Sequence, residues 1–397
     1  MMLSYRNLFG QVKGRGLMLI MAVYSLLMAA LIWDRIILPL KVRRVWKILL
    51  ALPIVAACCK NQITHLLGGP MFFAPDLPGW FLLPAAWIYA SAFLLFFGLV
   101  FLEVVRLATM LIYYCRNHRK PPEEYRRMFW KISLGLIPLA ALLAAFGLYR
   151  GMADPAIREM TMRFENLPKT ADGCRIAVLA DLHADRITTS PKIRRIVELT
   201  NRLEPDLTVL LGDYVDGKVS ARGRELLPLK ALRAKFGVYA IPGNHEYYSG
   251  WHEWRPFLSG CGLNLLENLH VRLPNGIYLA GVSDPAARGF GEPVPDIAKA
   301  LYGIPEGSFI LLLAHRPGQA HAAAKSGAAL QLSGHTHGGM VYGLDWFVGQ
   351  FNGGFVSGLY EVGGMKLYVS NGSSIWNGFP IRLGRESEIT LITLRSR

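Results

Sequence analysis

Four stretches of the first 150 residues contain no charged side chain, at 17–33, 48–59, 77–102 and 132–149. A helix needs about 20 mostly apolar residues to cross a bilayer core. The first, third and fourth stretches meet or nearly meet that length, and the third can continue past Glu103 and Arg106 to Cys115. The second holds Pro53, and it spans only if Lys47 and Lys60 carry their amines to the interfaces. Residues 151–397 have the mixed composition of an ordinary globular domain. The chain is therefore expected to have a helical membrane domain of about four spans over 1–150, a linker over 151–170 and a second domain over 171–397. No small-residue cleavage site follows the first stretch, and a charged "WDR" comes next, so it reads as an anchor and not as a removed leader.

The formal charge of +15 needs a location before it implies a partner. Residues 1–150 hold 17 Lys and Arg against 5 acids, and 151–397 hold 26 against 23, so the basicity belongs to the membrane half. Cations flanking apolar spans follow the positive-inside rule, and no basic-aromatic stripe suited to single-stranded nucleic acid appears later. Nucleic acid is excluded as an expected partner; the lipid bilayer is expected. One basic connector carries Arg35, Lys41, Arg43, Arg44 and Lys47, and another runs from Arg106 to Lys131. Four spans put both on the same side. If that side is the cytoplasm, the second domain lies outside it, across a bacterial inner membrane, although Arg6, Lys13 and Arg15 pull the other way. The five cysteines form no C-x-x-C; Cys174 and Cys261 can pair if the domain is exported.

From residue 171 short apolar runs end in polar clusters and alternate with helical patterns. "RIAVLADLHAD" stops at Asp181, and "SPKIRRIVELTNRL" follows with a serine cap and an early proline. "DLTVLLGDYVD", "GVYAIPGNHE", "SFILLLAHRPG" and "ALQLSGHTHGG" repeat the device. Alternating strands and helices argue a layered α/β domain (an α+β sandwich), and such folds place ligands at strand ends. The strand-end residues are Asp181, His183, Asp213, Asn244, His315, His335 and His337. Mixed carboxylate, amide and imidazole donors suit Zn, Mn or Fe better than Ca or Mg, and seven are about right for two ions sharing a carboxylate. His65, His118, His252, His270 and His321 stand outside these motifs and are read as ordinary histidines.

The order D-x-H, G-D-x-x-D, G-N-H-E, H and G-H-x-H resembles the calcineurin-like metallophosphoesterase superfamily, from about Arg175 to His337. Membrane helices ahead of the domain, "LQLSGHTHGG" and "GLY" followed by "LYVSNG" are similar to its membrane-anchored branch, which includes YaeI, YkuE and the transmembrane protein with a metallophosphoesterase domain. The resemblance implies two divalent ions (Mn, Fe, Zn or Ni). Asp181, His183 and His337 would hold one, Asn244, His315 and His335 the other, and Asp213 both. It also implies His245 as proton donor to the leaving oxygen, oriented by Asp216. Gly334, Gly338 and Gly339 would allow the backbone bends between the two histidines. "GDYVD" continues with Gly217 and Lys218, so the arginine that protein serine/threonine phosphatases carry next is absent. Ala184 and Asp185 replace a common glycine, and Arg316 is a candidate phosphate contact.

The expected activity is hydrolysis of a phosphodiester, phosphomonoester or pyrophosphate of a membrane-associated substrate. The glycine- and aromatic-rich residues 340–380 would offer an apolar wall or a packed hairpin region. UDP-2,3-diacylglucosamine pyrophosphatase activity is an alternative, although its cytosolic substrate conflicts with an exported domain. An inert scaffold or receptor on the same fold is a non-enzyme alternative, which retention of all seven ligands disfavours. A transporter would need polar residues within the spans, where Glu103 and Arg106 are the only close pair.

Overall fold

A computed structural model of the chain describes residues 18–68, 71 and 74–397. Arg6, Lys13 and Arg15 lie outside these. The chain divides into a helical unit ending at Tyr149, with Gly378–Pro380 grouped into it, and a second unit of Arg150–Asn377 and Ile381–Arg397.

The helices up to the boundary are α1 (Met18–Ile37), α2 (Arg44–Cys58), α3 (Lys60–Gly68), α4 (Gly79–Asn117) and α5 (Glu123–Met152), whose last turn runs on into the second unit. Among the described residues α1, α4 and α5 are long and apolar enough to cross a membrane, while α2 and α3 form one candidate span bent by 68°. The doubtful second stretch is thus a broken span or a re-entrant pair. Glu103 stands after an apolar run in the unbroken α4, where a lone carboxylate would be costly. Arg35 Nε at 2.7 Å and Arg106 Nη2 at 2.7 Å neutralise it. Phe379 packs within this unit, its ring 4.7 Å from that of Phe93.

The second unit is built on twelve strands. In chain order they are β1 (Ala156–Phe164), β2 (Arg175–Leu179), β3 (Leu207–Leu210), β4 (Val238–Ala240), β5 (Asn264–Leu265) and β6 (Leu269–Arg272). β7 (Tyr278–Gly281), β8 (Ile310–Leu313), β9 (Leu330–Ser333), β10 (Gly358–Val362), β11 (Met365–Val369) and β12 (Glu388–Ser396) complete the set. They form two six-stranded sheets, ordered β1-β12-β2-β3-β4-β5 and β10-β11-β9-β8-β7-β6. Strands β2 to β5 run parallel, as do β7, β8, β9 and β11.

Alternation of side chains along each strand explains the layering. Ile176, Val178, Val209, Leu211, Leu279, Leu311, Leu313 and Leu332 fill one core between the sheets. The opposite face of the first sheet buries Leu179 and Leu210 beneath α6 (Ser190–Arg202), α7 (Val219–Leu226), α8 (Asn244–Ser249) and α9 (Trp251–Gly260). The outer face of the second sheet buries Ala280, Leu312 and Leu367 beneath α10 (Ile297–Leu301) and α11 (Ala320–Lys325). The result is a four-layer sandwich with parallel strands at its centre.

Three sequence readings change. Residues 151–170 do not form a free linker: β1 lies inside them and pairs in parallel with β12 along its whole length, Ala156 opposite Glu388 through Phe164 opposite Ser396. Ser190 is the first residue of α6 and not its cap; Thr189 precedes it, and the Ser190 N–H donates to Glu225. Cys174 and Cys261 are separately buried and unpaired.

Candidate metal centre

Every motif residue follows the C-terminal end of a parallel strand. Asp181 and His183 leave β2, Asp213 leaves β3, Asn244 and His245 open α8 after β4, His315 follows β8, and His335 and His337 follow β9. The topology thus gathers side chains 156 residues apart in sequence, a convergence that open parallel sheets provide at these ends. Five of these residues, Asp181, His183, Asp213, His335 and His337, have φ between 45° and 73°. Non-glycine residues avoid that region at a cost of roughly 1–2 kcal/mol each. Strain concentrated here is the mark of a backbone forced to aim side chains at one place.

The donor atoms of Asp181, His183 and His337 lie within 4.8 Å of one another, as do those of Asp213, His315 and His335. His183 Nε2 is 3.0 Å from His337 Nε2, and His315 Nε2 is 3.2 Å from His335 Nδ1. Asp213 Oδ2 lies among them, 3.2 Å from His315 Nε2 and 3.8 Å from the Nε2 atoms of both His183 and His245. Asn244 Oδ1 is buried with no hydrogen-bond partner. A buried carbonyl left unpaired costs free energy, which a cation beside it would relieve. The donor set fits two cations. His65, His118, His252, His270 and His321 belong to none of these groups.

The outer nitrogens are fixed by their partners, which aim the inner ones. His315 Nδ1–H donates to the Leu211 carbonyl at 2.7 Å, leaving Nε2 directed inward. Asp216 accepts from two rings, His183 Nδ1 at 3.1 Å and His245 Nδ1 through its other oxygen. It is fully buried and does not cap a helix, since Lys218 precedes α7.

Electrostatics follow from this crowding. Burial works against the Asp213 charge, yet the surrounding His315, His245 and His183 hold its carboxyl well below the ordinary range. Burial alone would depress His245 and His315, but Asp213 reverses this with help from Asp216 and Asp181, raising them to about 9 and about 10. Burial, reinforced by neighbouring cationic groups, pushes His335 and His337 well down, so these two are neutral imidazoles with lone pairs to give.

Glycines permit the close approaches. Gly338 and Gly339 take φ of 63° and 74°, as a bend requires. Gly334 serves differently: a Cβ there would meet Asp181 Oδ2 at 2.6 Å, and His335 N–H needs that carboxylate, donating to its two oxygens at 3.0 and 3.1 Å.

Three supporting residues lie outside the candidate ligand set. Glu246, fully buried, accepts from Asp213 N at 2.8 Å, Tyr214 N at 2.7 Å and Gly243 N at 2.7 Å, joining two motif loops. Arg382 donates to the carbonyls of Asn371 and Ser374, each at 2.7 Å, and of His337 at 3.3 Å. Trp376 lies beside the His183, His245 and His337 rings, at centroid distances of 6.3, 6.0 and 6.4 Å. Only Glu246 was discoverable, as the last letter of "GNHE". Asp185, in place of a common glycine, accepts from Ile187 N and Thr188 N at 2.7 Å and closes its own turn.

After the His337 turn, residues 340–380 contain the expected hairpin. β10 and β11 are an antiparallel hairpin, whereas α12 (Asp345–Gln350) and its flanks leave Tyr342, Trp346, Phe347 and Phe351 exposed by 62%, 72%, 58% and 74%.

Residues 174–339 match the family model for calcineurin-like phosphoesterases. A zebrafish (Danio rerio) transmembrane protein with metallophosphoesterase domain is 34% identical over 339 residues, covering 82% of this chain and 76% of that protein. The chain belongs to the calcineurin-like metallophosphoesterase family. An uncharacterized metallophosphoesterase of Helicobacter pylori is 36% identical over 64% of this chain and 68% of its own. YkuE of Bacillus subtilis, also an uncharacterized metallophosphoesterase, is 28% identical over 68% of this chain and 98% of its own. The first of these relatives carries the membrane character in its name, in keeping with the apolar helices α1, α4 and α5.

Proposed function

We propose that this family member hydrolyses phosphoester bonds at a two-cation centre. Asp181, His183 and His337 hold one cation, Asn244, His315 and His335 the other, and Asp213 both. The observation that carries this reading is the pair of facing imidazole couples on either side of Asp213, with the orphaned Asn244 oxygen beside them. Two divalent cations bound there would supply Lewis-acid polarisation of the phosphoryl group and a nucleophilic water at neutral pH.

The remaining work falls to the chain's own groups. His245 carries a proton at neutral pH because Asp213 and Asp216 raise it to about 9 against the effect of burial. Asp216 accepts its Nδ1–H, leaving Nε2–H, 3.8 Å from Asp213 Oδ2, as donor to the leaving oxygen. The same carboxylate fixes the His183 tautomer. One acid thus orients both a cation ligand and the proton donor, so Asp216→Asn perturbs both.

The substrate is a membrane-associated phosphodiester, monoester or pyrophosphate. The apolar helices of the same chain and the exposed Trp346, Phe347 and Phe351 near His337 support this, because exposed aromatic side chains favour the headgroup level of a bilayer. Metal analysis of the detergent-purified full chain, with turnover of bis(para-nitrophenyl) phosphate in Mn and of a lipid-pyrophosphate panel, tests the reading. Two ions per chain and turnover abolished by His337→Ala are expected; a loaded chain inert toward every phosphoester refutes it.

A further inference from the structure

Strand β7 belongs to none of the motifs, yet its C-terminal end lies beside that of β8 in the second sheet. Asp284 follows β7, and Arg316 follows β8 directly after His315. Arg316 Nε donates to Asp284 Oδ2 at 2.8 Å and Nη2 to Oδ1 at 3.1 Å, a two-point fork that fixes the guanidinium plane. Asp284 is itself immobilised: it is 1% exposed and accepts from Ala286 N at 2.7 Å. The Arg316 side chain remains 31% exposed, unlike an arginine buried only to balance a carboxylate.

A guanidinium has five N–H donors. Asp284 takes two, and the Tyr248 hydroxyl, which also meets Arg316, takes at most one. At least two remain. Arg316 directly follows His315, and the ring of Tyr248, whose hydroxyl meets Arg316, lies 5.4 Å from that of His245. The arginine thus follows a candidate cation ligand in the chain and reaches the proton donor through Tyr248.

We propose that Arg316, positioned by Asp284, is a phosphoryl-oxygen subsite that favours substrates with an additional anionic oxygen, a phosphomonoester or a terminal pyrophosphate, over a singly charged diester. This rests on the hydrolase reading above and narrows its substrate class. A planar fork matches two phosphoryl oxygens at once, which a lysine ammonium does not. Asp284 acts through Arg316 and is a positioning residue.

The test uses the full chain in detergent, loaded with Mn, as wild type, Arg316→Leu, Arg316→Lys and Asp284→Asn. Hydrolysis of para-nitrophenyl phosphate and of its bis ester is measured, with calorimetric binding of inorganic phosphate and metal content alongside. Arg316→Leu is expected to weaken phosphate binding at least tenfold and to shift the kcat/KM ratio at least tenfold toward the diester, mainly through KM for the monoester. Two ions per chain are retained. Arg316→Lys is expected to recover less than half of the loss on a logarithmic scale, and Asp284→Asn to move the ratio in the same direction. Equal losses on both esters, unchanged phosphate affinity, or full recovery with lysine overturns the subsite. If wild type hydrolyses neither ester, the hydrolase reading fails, and the phosphate titration still decides the subsite.

Discussion

Replacing Glu246 by Gln isolates the carboxylate that ties the Asp213 loop to the Asn244 loop. Its Oε2 accepts from Asp213 N and Gly243 N, and its Oε1 from Tyr214 N. A glutamine can keep the first two bonds with its carbonyl, but then directs its NH2 at the Tyr214 N–H. One charge-assisted bond, about 1.5–3 kcal/mol, becomes a donor facing a donor. The opposing effect is relief of burial, which together with the Asp213 charge raises the Glu246 pKa to about 7. The net expectation is a local loss of about 1–2 kcal/mol, read as roughly five- to thirtyfold faster hydrogen exchange in peptides spanning 212–215 and 243 of the metal-free chain. Mn affinity should fall in parallel, since Asp213 and Asn244 lose their common support. Exchange within twofold of wild type in both segments, with unchanged Mn affinity, would refute the idea that one buried carboxylate sets their spacing.

Three further outcomes follow from the same geometry. Gly334→Ala places a methyl 2.6 Å from Asp181 Oδ2, so metal content is expected to drop from two ions to one per chain; retention of two counts against the assignment of Asp181. His315, raised to about 10 chiefly by Asp213 against burial, carries a proton at pH 7 in the metal-free chain, and a cation must displace it. Affinity therefore falls as pH falls below that value, and calorimetry in buffers of different ionisation heat should show about one proton released; none released at pH 7 contradicts this. Finally, a cysteine at Tyr302, 85% exposed, in a Cys115→Ser background should react with a membrane-impermeant maleimide in intact cells if the basic connectors face the cytoplasm. Labelling only after lysis reverses that topology.

The candidate ligands were legible because each occupies a short segment with its own local logic: an apolar strand, a stop and a donor. The strands between them read equally well, being buried β-branched and apolar runs. β1 did not. "AIREMTMRF" is rich in good helix formers, and only Met160, Met162 and Phe164 alternate toward the core. Its strand state depends on β12, 232 residues downstream, and no local preference announces so distant a parallel partner. The same distance hid the supports. Arg382 reaches carbonyls of Asn371, Ser374 and His337, and Asp284 meets Arg316 only because β7 and β8 are neighbours in the sheet.

Local strain and distant support are two halves of one device. A residue near φ 50° does not hold that conformation unaided. At Asp181 the restraint is mutual: its N–H bonds the Gly212 carbonyl at 3.0 Å while its carboxylate receives the His335 N–H, so two loops from different sheets hold each other. His183 N–H bonds the Asp213 carbonyl at 3.0 Å, and Arg382 holds the His337 carbonyl. Each left-handed residue is thus secured by another segment. Substitution of a single support should relax several donors together, so metal affinities of paired variants such as Glu246→Gln with Gly334→Ala are expected to be non-additive, whereas surface changes on α6 should add.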